Sequence, residues 1–230
     1  IQGNDRTYSL DVLPQEFPCR LTGDFRSPVL DLVNADGSFG CDLRYQGYEI
    51  CDGKYNLKGL PAVYAAEEEA QTLIIYMKDQ VTGLQVELLY GVLPEYDVIT
   101  RSAKVINTEE DKIRLTKAQA ACIDFLHGEF DVISFYGRHA MERNMQRTSV
   151  GHGAFVIGSR RGTSSHQYNP MMILAEKETT EDAGTCYGMS FVYSGGFKAE
   201  VEKDQFGQTR MQMGLQEEQF SYPLKKERNL

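Results

Sequence analysis

Thr72-Leu73-Ile74-Ile75-Tyr76-Met77-Lys78-Asp79-Gln80-Val81-Thr82-Gly83-Leu84-Gln85-Val86-Glu87-Leu88-Leu89-Tyr90 is the stretch that decides the fold class of this chain. It consists of two apolar runs, Thr72–Lys78 and Leu84–Tyr90, on either side of a turn that contains Gly83. Both runs are rich in β-branched, aromatic and aliphatic residues, and both are too short for typical helices. The stretch therefore predicts a pair of β-strands joined by a turn.

Similar short runs continue in both directions from this pair. Cys41–Ile50 and Ile99–Ile106 alternate apolar and polar residues, which is the period-2 mark of a half-buried strand. The period of Ile113–Phe125 fits a strand or a helix, and the turns on either side favour a strand; Arg138–Arg147 is interpreted as extended. Further strands are predicted at Asp131–Tyr136, Ala154–Gly158, Met171–Glu176, Cys186–Ser194, Phe197–Glu202 and Thr209–Leu215.

Glycine-containing turns separate these runs. Asn34–Ser38 and Ser194–Gly196 carry the residues of tight hairpins, so each predicts that its flanking strands pair with one another. Many short strands at even spacing, with few helix signals, predict an all-β fold. The length favours a large antiparallel β-sandwich rather than a small barrel.

Composition excludes several classes of partner. The chain has 230 residues and a net charge of −9, which argues against nucleic acid because phosphate binding needs clustered Lys and Arg. No apolar run approaches the roughly 18–20 residues that span a bilayer, so no membrane partner is expected. The five cysteines are scattered and form no CxxC pair, which predicts reduced thiols, a cytoplasmic location and no structural zinc.

Motifs for catalysis or cofactor binding do not emerge from the residues alone. There is no GxSxG elbow and no glycine-rich phosphate loop. Each histidine lacks a nearby histidine partner, so no metal site is expected and all four are interpreted as structural or surface residues: His127, His139, His152 and His166. The residues by themselves therefore predict no catalytic site, no metal and no cofactor.

The densest polar run is Arg160-Arg161-Gly162-Thr163-Ser164-Ser165-His166-Gln167-Tyr168-Asn169-Pro170, between the apolar segments Ala154–Gly158 and Met171–Ala175. Such side chains cost a few kcal/mol each when buried without partners. The run must either satisfy itself as a loop between sheets or face a ligand or partner. The residues leave both alternatives open, and we take Arg160, Arg161 and His166 as candidate interface residues.

Several segments together carry a family resemblance. They include Gly23–Pro28, Asp42–Tyr45, Leu60–Ala62, Thr82–Leu84, Ile99–Ser102, Arg160–Asn169, Tyr187–Gly195 and Glu202–Arg210. With these motifs the chain closely resembles, over nearly its whole length, the N-terminal domain of the bacterial-type α-galactosidases of glycoside hydrolase family thirty-six.

The resemblance implies that residues 1–230 form one β-supersandwich domain, related in architecture to galactose mutarotase and lacking its first strands. Family members release terminal α-1,6-linked galactose from melibiose, raffinose and stachyose with retention of configuration. Their nucleophile, in a Lys-Trp-Asp motif, and their acid/base are aspartates of a following (β/α)₈ barrel. This chain has no tryptophan, so we expect no catalytic residue in it and no activity from it alone.

The resemblance also implies partners. The family is commonly tetrameric, and an arm of its N-terminal domain enters a neighbouring subunit's sugar pocket. Asp5-Arg6-Thr7-Tyr8-Ser9-Leu10 resembles that arm, and Arg6 resembles its sugar-contacting arginine. The expected partners are therefore the catalytic barrel, other copies of the chain and galactosides.

Two alternatives are kept beside this interpretation. One is an autonomous galactoside-binding module, because the chain has thirteen tyrosines and the polar Arg160–Pro170 run. The other is a mutarotase-like enzyme, which needs a general acid and base and for which His139 and His166 are the available imidazoles.

Overall fold

The computed structural model describes residues 10–20, 22–226 and 230. Within these residues there are fourteen β-strands, three short 3₁₀ turns and no α-helix, which confirms the predicted all-β fold. The turns are Leu10–Val12, Glu67–Glu69 and Pro94–Tyr96. The strands are β1 Leu30–Val33, β2 Leu43–Asp52, β3 Gln71–Asp79, β4 Leu84–Leu93, β5 Val98–Asn107, β6 Ile113–Phe125, β7 Phe130–Arg138, β8 Met141–Ser149, β9 Gly153–Gly158, β10 Tyr168–Glu176, β11 Cys186–Ser190, β12 Phe197–Lys203, β13 Thr209–Leu215 and β14 Tyr222–Leu224.

The chain divides into two compact units. Unit 1 comprises Ile1–Leu30 and Lys117–Gln219, and unit 2 comprises Asp31–Thr116 and Phe220–Leu230. The boundaries fall inside β1 and β6, so both strands contribute residues to each unit. No helix in the described part of the chain is long and apolar enough to cross a membrane.

Unit 1 is a two-layer sandwich. One layer contains the second part of β6 followed by β13, β12 and β9, and the other has the order β11-β10-β7-β8. Both layers contribute to one core, whose fully buried members include Met172, Leu174, Phe197, Val201 and Met211. Alternation builds this core, because successive residues of a strand point to opposite faces of its sheet. The predicted antiparallel sandwich is confirmed.

Unit 2 contains the antiparallel sheet β2-β3-β4-β5. The hairpin β3–β4 lies where the Thr72–Tyr90 stretch predicts it, and Leu84, Val86 and Leu88 of β4 are fully buried. In the same unit, β14 pairs with the beginning of β6, with Leu224 opposite Ile113.

Two of the predicted hairpins are wrong. The Asn34–Ser38 turn forms, with the amide of Asn34 donating to the carbonyl of Ser38 at 2.8 Å, but β1 pairs with β6 and β2 pairs with β3. Likewise, the Ser194–Gly196 turn joins β11 and β12, which belong to different layers of unit 1. Turn residues permit the chain to reverse, but the burial of each strand's apolar face decides where the strand pairs. The extended interpretation of residues 138–147 is confirmed for residues 141–147, which lie in β8, whereas His139 and Ala140 form the turn between β7 and β8.

Candidate functional site

The polar Arg160–Pro170 run forms a loop between β9 and β10 that largely satisfies its own hydrogen bonds. The hydroxyl of Ser159 donates to the carbonyl of Thr163 at 2.6 Å. The amide of Ser164 donates to the carbonyl of Ser194 at 2.8 Å, so the loop is tied to the turn before β12. Of the two alternatives left open by the sequence, internal pairing describes the backbone and hydroxyls of this loop.

The three candidate interface side chains of this loop point outward and are exposed. Arg160 Nε lies 2.5 Å from Glu218 Oε2, but these side chains are 75% and 56% exposed. Arg161 Nε donates to Gln167 Oε1 at 3.3 Å. An exposed ion pair contributes about 0–1 kcal/mol and a hydrogen bond to a neutral group about 0.5–1.5 kcal/mol, so both guanidinium groups can exchange these partners for others at little cost.

A buried ion cluster in unit 1 is the feature that sequence reasoning missed. Arg26 Nε contacts Asp24 Oδ1 at 2.9 Å, and Arg210 Nη2 contacts Asp24 Oδ2 at 2.7 Å. The second carboxylate is that of Asp124. Its Oδ1 lies 2.7 Å from Arg210 Nε, and its Oδ2 lies 3.4 Å from Arg26 Nη1. All four side chains are at most 4% exposed. Two guanidinium groups thus balance two carboxylates inside the fold, and we call these four residues the ion cluster.

The electrostatics of the ion cluster keep Asp24 and Arg210 charged. Burial by itself raises the pKa of Asp24, but hydrogen bonds from Arg26 and Arg210 outweigh burial and lower this pKa below its ordinary value. Burial lowers the pKa of Arg210, and the contacts with Asp124 and Asp24 more than reverse that effect. A carboxylate held ionised in this way is a poor proton donor near neutral pH. The cluster is therefore suited to fixing the chain in place rather than to acid–base chemistry.

Strand alternation explains why these charges meet. Met211 and Met213 of β13 point into the sandwich core, so Arg210 and Gln212 point to the opposite face of the same sheet. Arg210 is the register partner of Asp124 on β6. On the next strand, β12, the charges Lys198, Glu200 and Glu202 alternate with the core residues Phe197, Ala199 and Val201.

The segment Asp24–Ser27 covers this charged face. The amide of Ser27 donates to Glu202 Oε2 at 2.8 Å, and Arg210 Nη1 donates to the carbonyl of Ser27 at 3.0 Å. Lys117 Nζ donates to the hydroxyl of Ser27 at 2.9 Å. The conformation of this segment is thus fixed by hydrogen bonds to both its backbone and its side chains.

The ion cluster also holds Val12–Gln15, the segment that we call the arm root. Arg26 Nη2 donates to the carbonyl of Leu13 at 2.7 Å. The amide of Gln15 donates to Asp124 Oδ2 at 2.9 Å. Gln208 links Arg26 to the arm root. Its Oε1 accepts from Arg26 Nη1 at 3.1 Å, and its Nε2 donates to the carbonyl of Val12 at 3.4 Å.

An open cavity of about 510 Å³ lies beside the arm root and is lined by Asp11, Phe25, His152 and Glu202, among others. His152 Nδ1 lies 2.7 Å from the carbonyl of Asp204, which orients its ring. Among the residues that the structure describes, no group of three or more metal-ligating side chains comes together.

The predicted sugar-contacting residue, Arg6, lies outside the described residues. The described residues begin at Leu10, and the arm root, Val12–Gln15, follows within a few residues. Two of the motifs that carried the family resemblance, Gly23–Pro28 and Glu202–Arg210, meet at the ion cluster, and two others, Arg160–Asn169 and Tyr187–Gly195, meet at the polar loop. The motif set was thus the signal from which the cluster could have been found.

Comparison with known proteins shows which family the chain matches. The glycosyl hydrolase family 36 N-terminal domain model matches residues 2–225. The chain is 62% identical to the bifunctional α-galactosidase/sucrose kinase AgaSK of Mediterraneibacter gnavus, over 96% of this chain and 24% of that protein. It is 42% identical to the α-galactosidase AgaA of Geobacillus stearothermophilus, over 96% of this chain and 30% of that protein.

Solved structures agree with the sequence matches. A crystal structure of an AgaA variant in complex with stachyose superimposes with a TM-score of 0.97 at 41% identity, over 99% of this chain and 32% of that one. The chain therefore spans about a quarter to a third of the length of the relatives that it matches. The strand pattern, the motifs that meet in space and these matches lead to one conclusion: the chain belongs to the N-terminal domain family of glycosyl hydrolase family 36.

Proposed function

We propose that residues 1–230 serve as the non-catalytic N-terminal domain of a retaining α-galactosidase, which hydrolyses terminal α-1,6-galactosyl residues of melibiose, raffinose and stachyose. Family membership carries this proposal, since the matched relatives are named α-galactosidases and extend far beyond the region that this chain covers. Structures of AgaA variants with raffinose and stachyose support the substrate class. In this proposal the catalytic (β/α)₈ barrel is another part of the same protein.

The proposed role of the domain is to pack on the catalytic barrel and to support oligomerisation. The exposed guanidinium groups of Arg160 and Arg161, with His166 on the same loop, are the proposed contacts. Their loop is held by its own hydrogen bonds, so it presents these side chains at little cost in conformational entropy.

A further part of the proposal concerns Arg6. A guanidinium group has five donors in a fixed plane and binds hydroxyls and carboxylates in pairs. We propose that Arg6 reaches a neighbouring subunit's sugar pocket, so that each active site of the oligomer is completed in trans.

The free state of all five cysteines supports a cytoplasmic location, where thiols stay reduced.

An assay of the 230-residue chain against p-nitrophenyl α-galactoside tests the non-catalytic role. We expect no turnover by this chain and turnover by the full-length protein in the same buffer. Turnover by the chain alone, surviving repurification, would overturn the assignment.

Arg6→Ala in the full-length protein tests the arm. Loss of charge-assisted hydrogen bonds to the sugar is expected to raise KM for raffinose by about tenfold or more. Arg44→Ala is the control, because Arg44 is an arginine of β2 that is 70% exposed and pairs with Asp42. Equal KM values for the two variants would show that Arg6 does not contact the sugar.

A further inference from the structure

The ion cluster lies on the face of the β6–β13 layer that points away from the sandwich core, so its charges do not contribute to that core. Removing four charges from water is costly, and well-packed apolar residues in place of a buried ion pair are often as stabilising or more so. What a buried cluster adds is direction, because charged and bidentate hydrogen bonds have a specific geometry. The chain segments that the cluster touches therefore indicate what it holds in place.

The contacts of the cluster converge on the arm root. Arg26 Nη2 donates to the carbonyl of Leu13 at 2.7 Å, and Asp124 Oδ2 accepts from the amide of Gln15 at 2.9 Å. Gln208 holds the carbonyl of Val12 and is itself held by Arg26. Three of the four residues of the arm root are thus fixed through their backbone by side chains of unit 1.

We propose that Arg26, Asp124 and Gln208 together are positioning residues, which set the place and direction in which the N-terminal arm leaves the domain and thereby present Arg6 to the neighbouring sugar pocket. The last step rests on the proposed function of Arg6, whereas the anchoring of the arm root does not. Four residues of extended chain span at most about 14 Å, so the position of Leu10 limits where Arg6 can act.

Backbone hydrogen exchange in the 230-residue chain tests the anchoring. The amides of Leu13 and Gln15 are hydrogen-bonded, to the carbonyl of Leu10 and to Asp124. Arg26→Met removes the donor to Leu13 and one partner of Asp124, so exchange at these two amides is expected to accelerate about tenfold relative to the sandwich core.

Arg147→Met is the matched control for hydrogen exchange. Arg147 also pairs with an aspartate, Asp131, and donates to backbone carbonyls, those of Glu176, Lys177 and Thr179. Its loss is expected to accelerate exchange at the amide of Thr179 and to leave Gln15 unchanged. Unchanged exchange at Leu13 and Gln15 in folded Arg26→Met would overturn the anchoring.

Gln208→Met is the variant that decides the matter if Arg26→Met does not fold. It removes the donor to the carbonyl of Val12 and one acceptor of Arg26, but it buries no unpaired charge. Faster exchange at Leu13 supports the proposal, and wild-type exchange overturns it.

A kinetic cycle in the full-length galactosidase tests the link to Arg6. Arg26→Met is expected to raise KM for raffinose by about three- to tenfold with little change in kcat, because it misplaces a binding group. In an Arg6→Ala background the same substitution is expected to have no further effect on KM.

The possible results of this cycle separate the two claims. An equal KM rise in both backgrounds would show that Arg26 acts independently of Arg6 and would overturn the inference. If Arg6→Ala alone leaves KM unchanged, the proposed role of Arg6 fails, and with it the presentation step, while the exchange experiment still decides the anchoring. Arg147→Met serves again as the control, with wild-type KM expected.

Discussion

Arg210 shows how a single side chain can be both charged and fully buried. Its side chain is 0% exposed, and it bridges the two carboxylates of Asp24 and Asp124 while donating to the carbonyl of Ser27. These partners stand 186, 86 and 183 residues away along the chain. Sequence patterns report neighbours within a strand, so they could mark Arg210 as part of a family motif but could not name its partners.

Arg210→Met tests the energetic role of the ion cluster. The substitution leaves two buried carboxylates with one guanidinium group, so the free energy of unfolding is expected to fall by about 3–5 kcal/mol. Urea unfolding measures this change. In the exposed pair Arg44–Asp42, Arg44→Met is expected to change stability by less than about 1 kcal/mol, and similar losses in both variants would contradict a special role for burial.

The low pKa of Asp131 predicts that the fold loses stability in acid. Burial alone raises its pKa, but hydrogen bonds from Lys177, Arg147 and Ser149 lower it from 3.8 to about 2. Because the folded pKa lies below the unfolded one, the ionised carboxylate stabilises the fold above about pH 4, and this contribution is lost as the pH falls towards 2.

Unfolding measured at pH 6 and at pH 3 checks the acid sensitivity of Asp131. The Asp131→Asn variant is expected to lose less stability between these two values than the wild type. Asp182→Asn removes one exposed carboxylate and controls for net charge. A wild-type pH dependence in Asp131→Asn would refute the assignment.

At the scale of strands, the sequence predicted which residues form strands better than it predicted which strands pair with one another. Apolar runs located β3 and β4, and the runs predicted at Phe197–Glu202 and Thr209–Leu215 form β12 and β13. Pairing failed where tight-turn residues joined strands of different sheets, at Asn34–Ser38 and Ser194–Gly196. Pairing depends on which distant strand completes the core, and a local turn carries no information about that strand.

Gly214 marks a close approach between β13 and β6. The register shifts between Met213 and Gly214, and a Cβ at Gly214 would lie 2.4 Å from Cα of Gln119. Gly214→Ala is therefore expected to destabilise unit 1 by about 1–3 kcal/mol in thermal or urea unfolding. Gly188 of β11 is the matched control, since a Cβ there meets nothing within 4 Å and alanine is expected to be tolerated. Equal stability of the two variants would show that β13 relaxes away from β6.

At the scale of the whole chain, the cysteines report folding directly. All five are free: Cys19, Cys41 and Cys122 are buried, Cys51 is partly buried and Cys186 is exposed. Burial, with Glu49 beside it, raises the pKa of Cys51 and so reduces its reactive thiolate fraction.

Thiol labelling of the native chain is therefore expected to proceed in stages. One thiol should react fast, a second slowly, and three only on unfolding, with five counted in denaturant. Cys186→Ser is expected to remove the fast phase alone. Rapid labelling of more than two thiols in the native state would contradict the burial of Cys19, Cys41 and Cys122.

The division of the chain into discontinuous units has a consequence for biosynthesis. Unit 2 begins at Asp31, yet its strand β14 leaves the ribosome only after all of Lys117–Gln219 has been made. Until then Ile113–Leu115 lacks the neighbour that Tyr222–Leu224 later provides, and an unpaired strand edge invites intermolecular association. A nascent chain halted before Tyr222 should consequently depend more on chaperones than one that extends beyond Leu224.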